Sequence, residues 1–235
     1  MPSGPARRTL ARRLEHIADF VDPSVELEQY LTPAELAAHV VYLAAVQGDL
    51  HDRLVVDLGA GTGMLALAAS YYGPAVVLGV ELDPVALDRA RENECRLAER
   101  AGTDGRNRTT CSWVRADATR LPLDRSRLED ASDRPATPDH AGGVTVLSNP
   151  PFGAQRGNRH ADRRFLQAIG PIADVSYTIH NEGSQSFVES FVDDAGGDLT
   201  HGFAADFPID HRFGFHDRER TTLEAEVFRI EWPQR

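Results

Sequence analysis

Apolar and polar positions alternate along the chain in blocks that predict strands separated by helices. Short apolar runs bounded by acidic or glycine residues indicate buried strands, and the longer segments between them repeat with helical spacing. Strands are predicted at residues 53–59, 75–82, 111–117, 144–148 and 173–180, with intervening helices at 63–72, 84–100 and 162–170. Strands separated by helices of this length imply βαβ units and a parallel sheet.

Two further helices are predicted ahead of the first strand. Residues 7–20 have an arginine-rich amphipathic pattern. A second helix is expected over residues 33–46, with Thr32 as the N-cap and Pro33 at the first helical position. Both helices lie before the glycine-rich region described below.

The C-terminal part has a different pattern. Residues 197–208 and 223–232 alternate in the manner of antiparallel strands. Residues 120–143 are rich in Asp, Arg, Pro and Gly and indicate an enlarged acidic surface loop. The chain has no internal repeat and no clear linker, so a single doubly wound α/β domain is predicted.

A glycine-rich loop follows the first predicted strand. The stretch VVDLGAGTGML has Asp57 at the strand end and glycines at Gly59, Gly61 and Gly63. Glycines at a strand-to-helix turn allow the backbone to approach a ligand closely beside a helix N-terminus. A dinucleotide-binding fingerprint would require a glycine at position 64, which is Met64 here.

Acidic residues also follow the next two predicted strands. Glu81 ends the second strand, where a carboxylate can accept hydrogen bonds from a ribose diol. That chemistry would serve a nicotinamide cofactor equally well. Asp117 follows the third strand and is positioned for an adenine amine, although such a residue on its own is more often a helix cap or a turn residue.

The fourth predicted strand ends in the tetrapeptide Asn149-Pro150-Pro151-Phe152. Ligands bind beyond the carboxyl ends of strands in an open parallel sheet, where this tetrapeptide would lie. The Asn149 side-chain oxygen and the Pro150 carbonyl can accept both hydrogens of an NH₂ group, and the two prolines stiffen the backbone. Phe152 can stack on the base that carries the amine. We call these four residues the amine clamp.

The glycine-rich loop and the amine clamp both resemble motifs of known enzymes. The acid-x-Gly-x-Gly-x-Gly spacing resembles motif I of class I S-adenosylmethionine-dependent methyltransferases. The amine clamp resembles the N-P-P-[FY] motif of amino-methyltransferases, which act on adenine N6, cytosine N4 or glutamine N5. The resemblance implies a Rossmann-like class I domain over residues 49–235, with a seven-stranded, mostly parallel sheet and an antiparallel C-terminal strand. Residues 1–48 are expected to form a helical segment that packs on the cofactor site.

The flanking stretches LEQYLTP, SNPPFGAQ, YTIHNEGS, FPIDHRFGFH and EAEVFRI are similar to one group, the archaeal members of the methyltransferase-like protein five family. That family methylates adenine N6 in small-subunit rRNA. The resemblance implies that S-adenosyl-L-methionine is bound by Gln29, Thr32, Asp57, Gly59, Gly61, Thr62, Gly63, Met64, Glu81, Asp117 and Ala118. It also implies that the amine clamp holds the target base, and that a small zinc-binding activator subunit is a partner.

The charge of the chain bears on whether its substrate can be a nucleic acid. The chain carries a formal net charge of −11, and all 25 of its basic residues are arginine. An acidic, lysine-free composition resembles that of proteins from salt-accumulating halophilic archaea, although a GC-rich genome would also favour arginine. At molar salt the Debye length falls to about 3 Å, so only local charge decides nucleic-acid binding. The predicted RNA-binding residues are Arg156, Arg159, Arg163 and Arg164, and residues 7–13 add four further arginines without an acid.

Other features of the sequence bear on the cellular location of the protein. No apolar run approaches the ~18–20 residues that cross a bilayer. Cys95 and Cys111 are far apart and lack clustered histidines, so neither a disulfide framework nor a metal site is indicated. A cytoplasmic location is expected.

Four alternatives stay open at this point. A glutamine-N5 methyltransferase of release factors shares the clamp but usually has Tyr at the position of Phe152. A DNA adenine methyltransferase would be expected to carry a separate target-recognition domain. A nicotinamide-dependent oxidoreductase is disfavoured by Met64 and by the clamp. An rRNA-binding assembly factor without activity would not need an intact clamp.

Overall fold

The computed structural model describes residues 4–100, 108–121, 142–151, 161–209 and 221–233. The helices are α1 Arg7–Leu14, α2 Ala34–Val46, α3 Met64–Ala69, α4 Pro84–Arg100, α5 Ala161–Ile169 and α6 Gln185–Ala195, with a 3₁₀ turn at Ser70–Tyr72. The strands are β1 Leu54–Leu58, β2 Val76–Glu81, β3 Cys111–Arg115, β4 Val144–Ser148, β5 Val175–Asn181, β6 Asp198–Ile209 and β7 Thr221–Glu231. Within these residues, no helix has both the length and the apolar character needed to span a bilayer.

The seven strands form one sheet in the order β3-β2-β1-β4-β5-β7-β6. Strands β1 to β5 pair in parallel, and β7 runs antiparallel between β5 and β6. The predicted α/β architecture, with its mostly parallel sheet and antiparallel C-terminal strand, is therefore confirmed. The strand order reverses between β1 and β4, and ligands of such sheets bind in the crevice at this switch point.

Helices cover both faces of the sheet. On one face, Leu36 of α2 and Leu67 of α3 share a buried cluster with Tyr177 of β5. On the other face, Phe165 of α5 packs in a cluster with Val146 of β4. Burying one such side chain contributes about 1.5–3 kcal/mol, so the buried apolar side chains of the central strands hold both layers in place.

The first helix is shorter than predicted. It ends at Leu14 instead of residue 20. Beyond the helix, the Ala18 amide donates to the Asn93 side-chain oxygen at 2.8 Å, and the Asn93 amide donates to the Ala18 carbonyl at 2.9 Å. A buried side chain of α4 therefore satisfies backbone groups that a longer helix would have paired internally, and this contact is invisible in the local pattern.

The predicted N-cap of α2 is also wrong. Pro33, with φ −56° and ψ 136°, occupies the cap position, and no side chain caps the helix. The Thr32 hydroxyl accepts a hydrogen bond from Asn149 instead. Helix α6 has no counterpart in the sequence prediction, and most of the predicted loop at residues 120–143 lies outside the described residues.

Candidate active site

The carboxyl ends of the central strands open into a cleft of about 290 Å³. This volume is close to the lower limit for small-molecule sites. The cleft brings together most of the predicted site residues: Gln29, Thr32, Asp57, Gly59, Gly61, Thr62, Met64, Glu81, Asp117, Ala118, Asn149, Pro151 and Arg164. Gly63 and Pro150 are described but do not line it.

The glycine loop has a backbone that only glycine adopts readily. Gly59, Gly61 and Gly63 have φ values of +76°, +54° and +89°. A Cβ atom at Gly61 would lie 3.0 Å from the Phe20 ring at the wall of the cleft. A Cβ atom at Gly63 would lie 2.7 Å from the Trp113 ring, which packs on the other side of the loop. Gly61 therefore keeps the cleft open, whereas Gly63 permits close packing between loop and sheet.

Asp57 connects the end of β1 to the start of α3. Its Oδ2 accepts a hydrogen bond from the Ala66 amide at 2.8 Å, and its side chain is buried. Burial raises the pKa of Asp57 to about 7, the Ala66 amide opposes that shift, and the nearby Glu81 carboxylate adds to it. The Asp57 Oδ1 is buried without a hydrogen-bond partner among the described residues. A ligand in the cleft can supply the missing donor.

Glu81 ties the glycine loop to the end of β2. Its Oε2 accepts from the Gly61 amide at 2.7 Å, and its Oε1 accepts from the Asp83 amide at 2.9 Å. Burial raises the pKa of Glu81, and the amide hydrogen bonds oppose the rise. A carboxylate has about four acceptor sites, so Glu81 keeps capacity for a ligand hydroxyl while it holds the loop.

Asp117 lies beyond the end of β3. Its Oδ1 accepts hydrogen bonds from the Thr119 amide at 2.9 Å and the Thr119 hydroxyl at 2.7 Å. Burial alone would raise the pKa of Asp117, but the Thr119 hydrogen bonds and the arginines Arg120 and Arg164 lower it overall. Asp117 is therefore a charged acceptor at the rim of the cleft.

Residues 20–32, the N-terminal strap, form one side of the cleft. Gln29 is fixed at both ends of its amide: its Oε1 accepts from the Ser24 amide at 2.8 Å, and its Nε2 donates to Asp83 Oδ2 at 2.7 Å. Because Asp83 follows β2, this contact joins the strap to the edge of the sheet that carries the glycine loop.

The strap also holds Asn149, the first residue of the amine clamp. The Tyr30 hydroxyl donates to Asn149 Oδ1 at 3.0 Å, and Asn149 Nδ2 donates to Thr32 Oγ1 at 2.9 Å. Burial raises the pKa of Tyr30 above its usual value, so its hydroxyl stays a donor. Sequence reasoning missed Tyr30, although it stands between Gln29 and Thr32 in the quoted LEQYLTP stretch.

Not every predicted site residue can be placed. Phe152, Arg156, Arg159 and the bulk of the acidic loop lie outside the described residues. The Arg163 guanidinium lies over the Phe191 ring, with 5.6 Å from Cζ to the ring centroid. Of the two described arginines, only Arg164 lines the cleft.

The sheet order and the cleft at its switch point are those of a class I methyltransferase. A family model described as ribosomal protein L11 methyltransferase (PrmA) matches residues 41–100, the segment that contains the glycine loop. The crystal structure of PH1948 from Pyrococcus horikoshii, described as a candidate RNA methyltransferase, is similar with a TM-score of 0.76 at 31% identity. That match covers 97% of this chain and 98% of the other. The protein is an S-adenosylmethionine-dependent methyltransferase.

Full-length relatives define the family. The uncharacterized protein MJ0284 of Methanocaldococcus jannaschii is 32% identical, over 96% of this chain and 94% of that protein. The rRNA N(6)-adenosine-methyltransferase Mettl5 of Drosophila melanogaster is 31% identical, over 95% of each chain. The chain belongs to the family of these proteins, which confirms the resemblance to the methyltransferase-like protein five family.

Proposed function

We propose that this enzyme transfers a methyl group from S-adenosylmethionine to N6 of an adenosine in small-subunit rRNA. The observation that carries the proposal is the held amide of Asn149, fixed by Tyr30 and Thr32 at the edge of the glycine-loop cleft. The name of the Drosophila relative, an rRNA N(6)-adenosine-methyltransferase, supports adenine N6 as the acceptor.

The residues present in the cleft fit the cofactor. The orphaned Asp57 Oδ1 and the space that a Cβ at Gly61 would fill both suit a ligand at the glycine loop. We propose that Glu81 accepts hydrogen bonds from the ribose and Asp117 from the adenine amine. Gln29 and Thr32 would close the cofactor in from the strap, and Gly59, Thr62, Met64 and Ala118 would form the walls. When bound, S-adenosylmethionine supplies an electrophilic methyl group.

The amine clamp then prepares the acceptor. An exocyclic adenine amine is a weak nucleophile because its lone pair is delocalised into the ring. Asn149 Oδ1 has a second lone pair beside the one that Tyr30 uses, and it can accept one amine hydrogen. We propose that the Pro150 carbonyl accepts the other, so that the nitrogen lone pair points at the methyl group. Positioning of this kind accounts for much of the rate of a bimolecular step.

The base must reach the clamp from an RNA strand. A target adenine has to be unpaired or flipped out before its amine can enter the cleft. We propose that Phe152 stacks on the base, that Arg164 contacts a phosphate near the cleft, and that Arg156, Arg159 and Arg163 extend this contact. The segment over residues 1–48, which includes the strap, would serve as a closing element for the cofactor site.

A protein partner is also proposed. Strand β3 ends the described sheet, and an unpaired strand edge is a template for another chain. Val114 on β3 is 44% exposed, and Leu82 and Val85 nearby in the fold are 47% and 50% exposed. We propose that a small zinc-binding activator subunit adds to this edge and covers these side chains.

The experiment is methyl transfer from labelled cofactor to purified small-subunit rRNA, large-subunit rRNA and release factor, followed by nucleoside and peptide analysis. We expect N6-methyladenosine in small-subunit rRNA alone. Label on a release-factor glutamine, with rRNA untouched, would show that the clamp serves a protein substrate. If none of the three substrates is labelled while cofactor binding is intact, the result would favour an rRNA-binding assembly factor without activity.

A further inference from the structure

A second cleft, of about 500 Å³, lies between α1, the 3₁₀ turn and α4. Its floor contains Tyr71 and Leu97, and its walls carry Arg12, Arg13, His16 and Arg100. None of the described residues that line it is acidic. The chain as a whole has 36 acidic residues against 25 arginines, so a cleft that is lined by three arginines and by no described acidic residue departs sharply from the average surface.

Two arginines lie beside the Tyr71 ring: Arg13, which lines the cleft, and Arg108, which is not among its lining residues. The Arg13 guanidinium lies 5.1 Å from the Tyr71 ring centroid, and the Arg108 guanidinium lies 5.7 Å from the same centroid. Arg108 donates to the Glu94 carbonyl through Nη2, whereas its Nη1 is buried without a partner among the described residues. Two cations beside one ring repel each other, and an anion placed between them would relieve that repulsion. We call Arg12, Arg13, His16, Arg100 and Arg108 the Tyr71 cluster.

The described ion pairs distinguish this cluster from two arginines of α4. Arg89 and Arg91 on α4 pair with Glu92 and Asp88, each at 2.7 Å. No ion pair between described residues involves Arg12, Arg13 or Arg108. Guanidinium groups without a carboxylate partner are suited to phosphate oxygens, which they bind in a bidentate manner.

The location of the cluster suits a strand that also reaches the active site. Helix α3 begins at Met64 in the cofactor cleft, and the 3₁₀ turn with Tyr71 follows its last residue. At 1.5 Å per residue, Tyr71 lies roughly 10 Å from Met64 along the helix axis. Because α3 is buried along its whole length, an RNA strand that contacts both sites would follow the surface over a longer path than this distance.

We infer that the Tyr71 cluster binds the phosphate backbone of the RNA substrate and holds it while the target adenine enters the cofactor cleft. The inference rests on the proposed function, because it takes rRNA as the substrate. Phosphate contacts fix register and orientation without reading sequence. The occupant is a nucleic-acid backbone and not a free base, since Tyr71 is only 8% exposed and two guanidinium groups lie over its ring.

The test is equilibrium binding of a labelled small-subunit rRNA fragment, measured by fluorescence anisotropy from 0.3 to 1 M KCl. The Arg12→Gln/Arg100→Gln double variant changes two exposed side chains of the cluster. We expect this variant to make the negative slope of log affinity against log salt shallower by about 1.4, because each of the two phosphate contacts to a single strand contributes about 0.7. If the two proteins bind RNA equally at 1 M KCl, this difference in slope gives the variant about a fivefold lower affinity than the wild type at 0.3 M KCl.

The matched control is Arg89→Gln/Arg91→Gln, which removes the same charge from two ion-paired arginines. We expect it to keep the wild-type slope, and thermal melting verifies that both proteins are folded. Equal slopes for the two double variants would overturn the inference. Labelled polyglutamate is measured in the same way. If Arg12→Gln/Arg100→Gln loses affinity for polyglutamate but keeps its affinity for RNA, the site takes acidic polypeptides and the inference is overturned. Wild-type protein that binds RNA through the cluster but transfers no methyl group would contradict the proposed function alone.

Discussion

Asn149 is the residue on which the proposed chemistry depends, and its side-chain amide is fixed from two directions. Thr32 accepts from its nitrogen, and Tyr30 donates to its oxygen. An amide held this way cannot flip, so its oxygen stays available to an incoming amine. Both contacts come from the strap, more than 100 residues earlier in the chain.

Replacing Tyr30 tests whether this positioning affects the rate. Tyr30→Phe removes the hydroxyl that donates to Asn149 and keeps the ring. A hydrogen bond of this kind contributes about 1 kcal/mol, so we expect kcat to fall roughly fivefold with cofactor affinity unchanged. The control is Tyr72→Phe, whose buried hydroxyl donates to the Pro5 carbonyl at 2.8 Å away from the cleft. Equal kcat values for the two variants would contradict a positioning role for Tyr30.

The buried carboxylate of Asp57 gives a pH dependence. Its pKa is raised from 3.8 to about 7 in the folded protein, chiefly by burial. Between these values the folded state holds a proton that the unfolded state has lost, so this group makes stability fall as pH rises. We expect the free energy of unfolding of the wild type, minus that of Asp57→Asn, to decrease from pH 4 to 7 and then level off. The slope is at most about 1.4 kcal/mol per pH unit. Urea unfolding at each pH measures it, and a difference independent of pH would contradict the assignment.

At the scale of elements, the glycine loop between β1 and α3 shapes the proposed cofactor cleft through its backbone. Gly61→Ala should weaken cofactor binding roughly tenfold, because the added Cβ would lie 3.0 Å from the Phe20 ring at the wall of the cleft, and it should also lose stability, because a left-handed alanine costs about 1–2 kcal/mol. The control Gly48→Ala has φ +82° but no atom within 4 Å of the added Cβ. It should lose similar stability and keep cofactor affinity in isothermal titration. Equal affinity losses would mean that strain alone explains the effect.

The elements differ in how far the sequence predicts them. Strand β4 and helix α4 have the predicted bounds, because a short, mostly apolar run before a proline pair and a regular helical period are local signals. The end of α1 depends on Asn93, and the role of Thr32 depends on Asn149. Contacts across the fold decide these features, and no local pattern encodes them. The glycine loop and clamp were predictable as motifs, whereas Tyr30 required the fold to bring the strap onto β4.

At the scale of the whole molecule, the net charge of −11 is the main electrostatic feature. Acidic residues repel one another when screening is weak, so the folded state should gain stability with salt. We expect the melting temperature to rise from 0.1 to 2 M KCl by several degrees. Sucrose at equal osmolality stabilises by exclusion without screening charge and should raise it less. A melting temperature that is highest in dilute buffer would contradict the prediction of a salt-adapted surface.

In the proposed mechanism, a clamp at the carboxyl end of β4 aligns an adenine amine for methyl transfer. The most direct measurement compares wild type and Asn149→Ala in single-turnover transfer to small-subunit rRNA, with cofactor affinity measured separately. We expect the transfer rate to fall by about 10²–10³, the usual effect of losing one positioned hydrogen bond to the reacting group, with cofactor affinity within a few-fold. Near-normal N6-methyladenosine formation by Asn149→Ala would contradict the clamp mechanism.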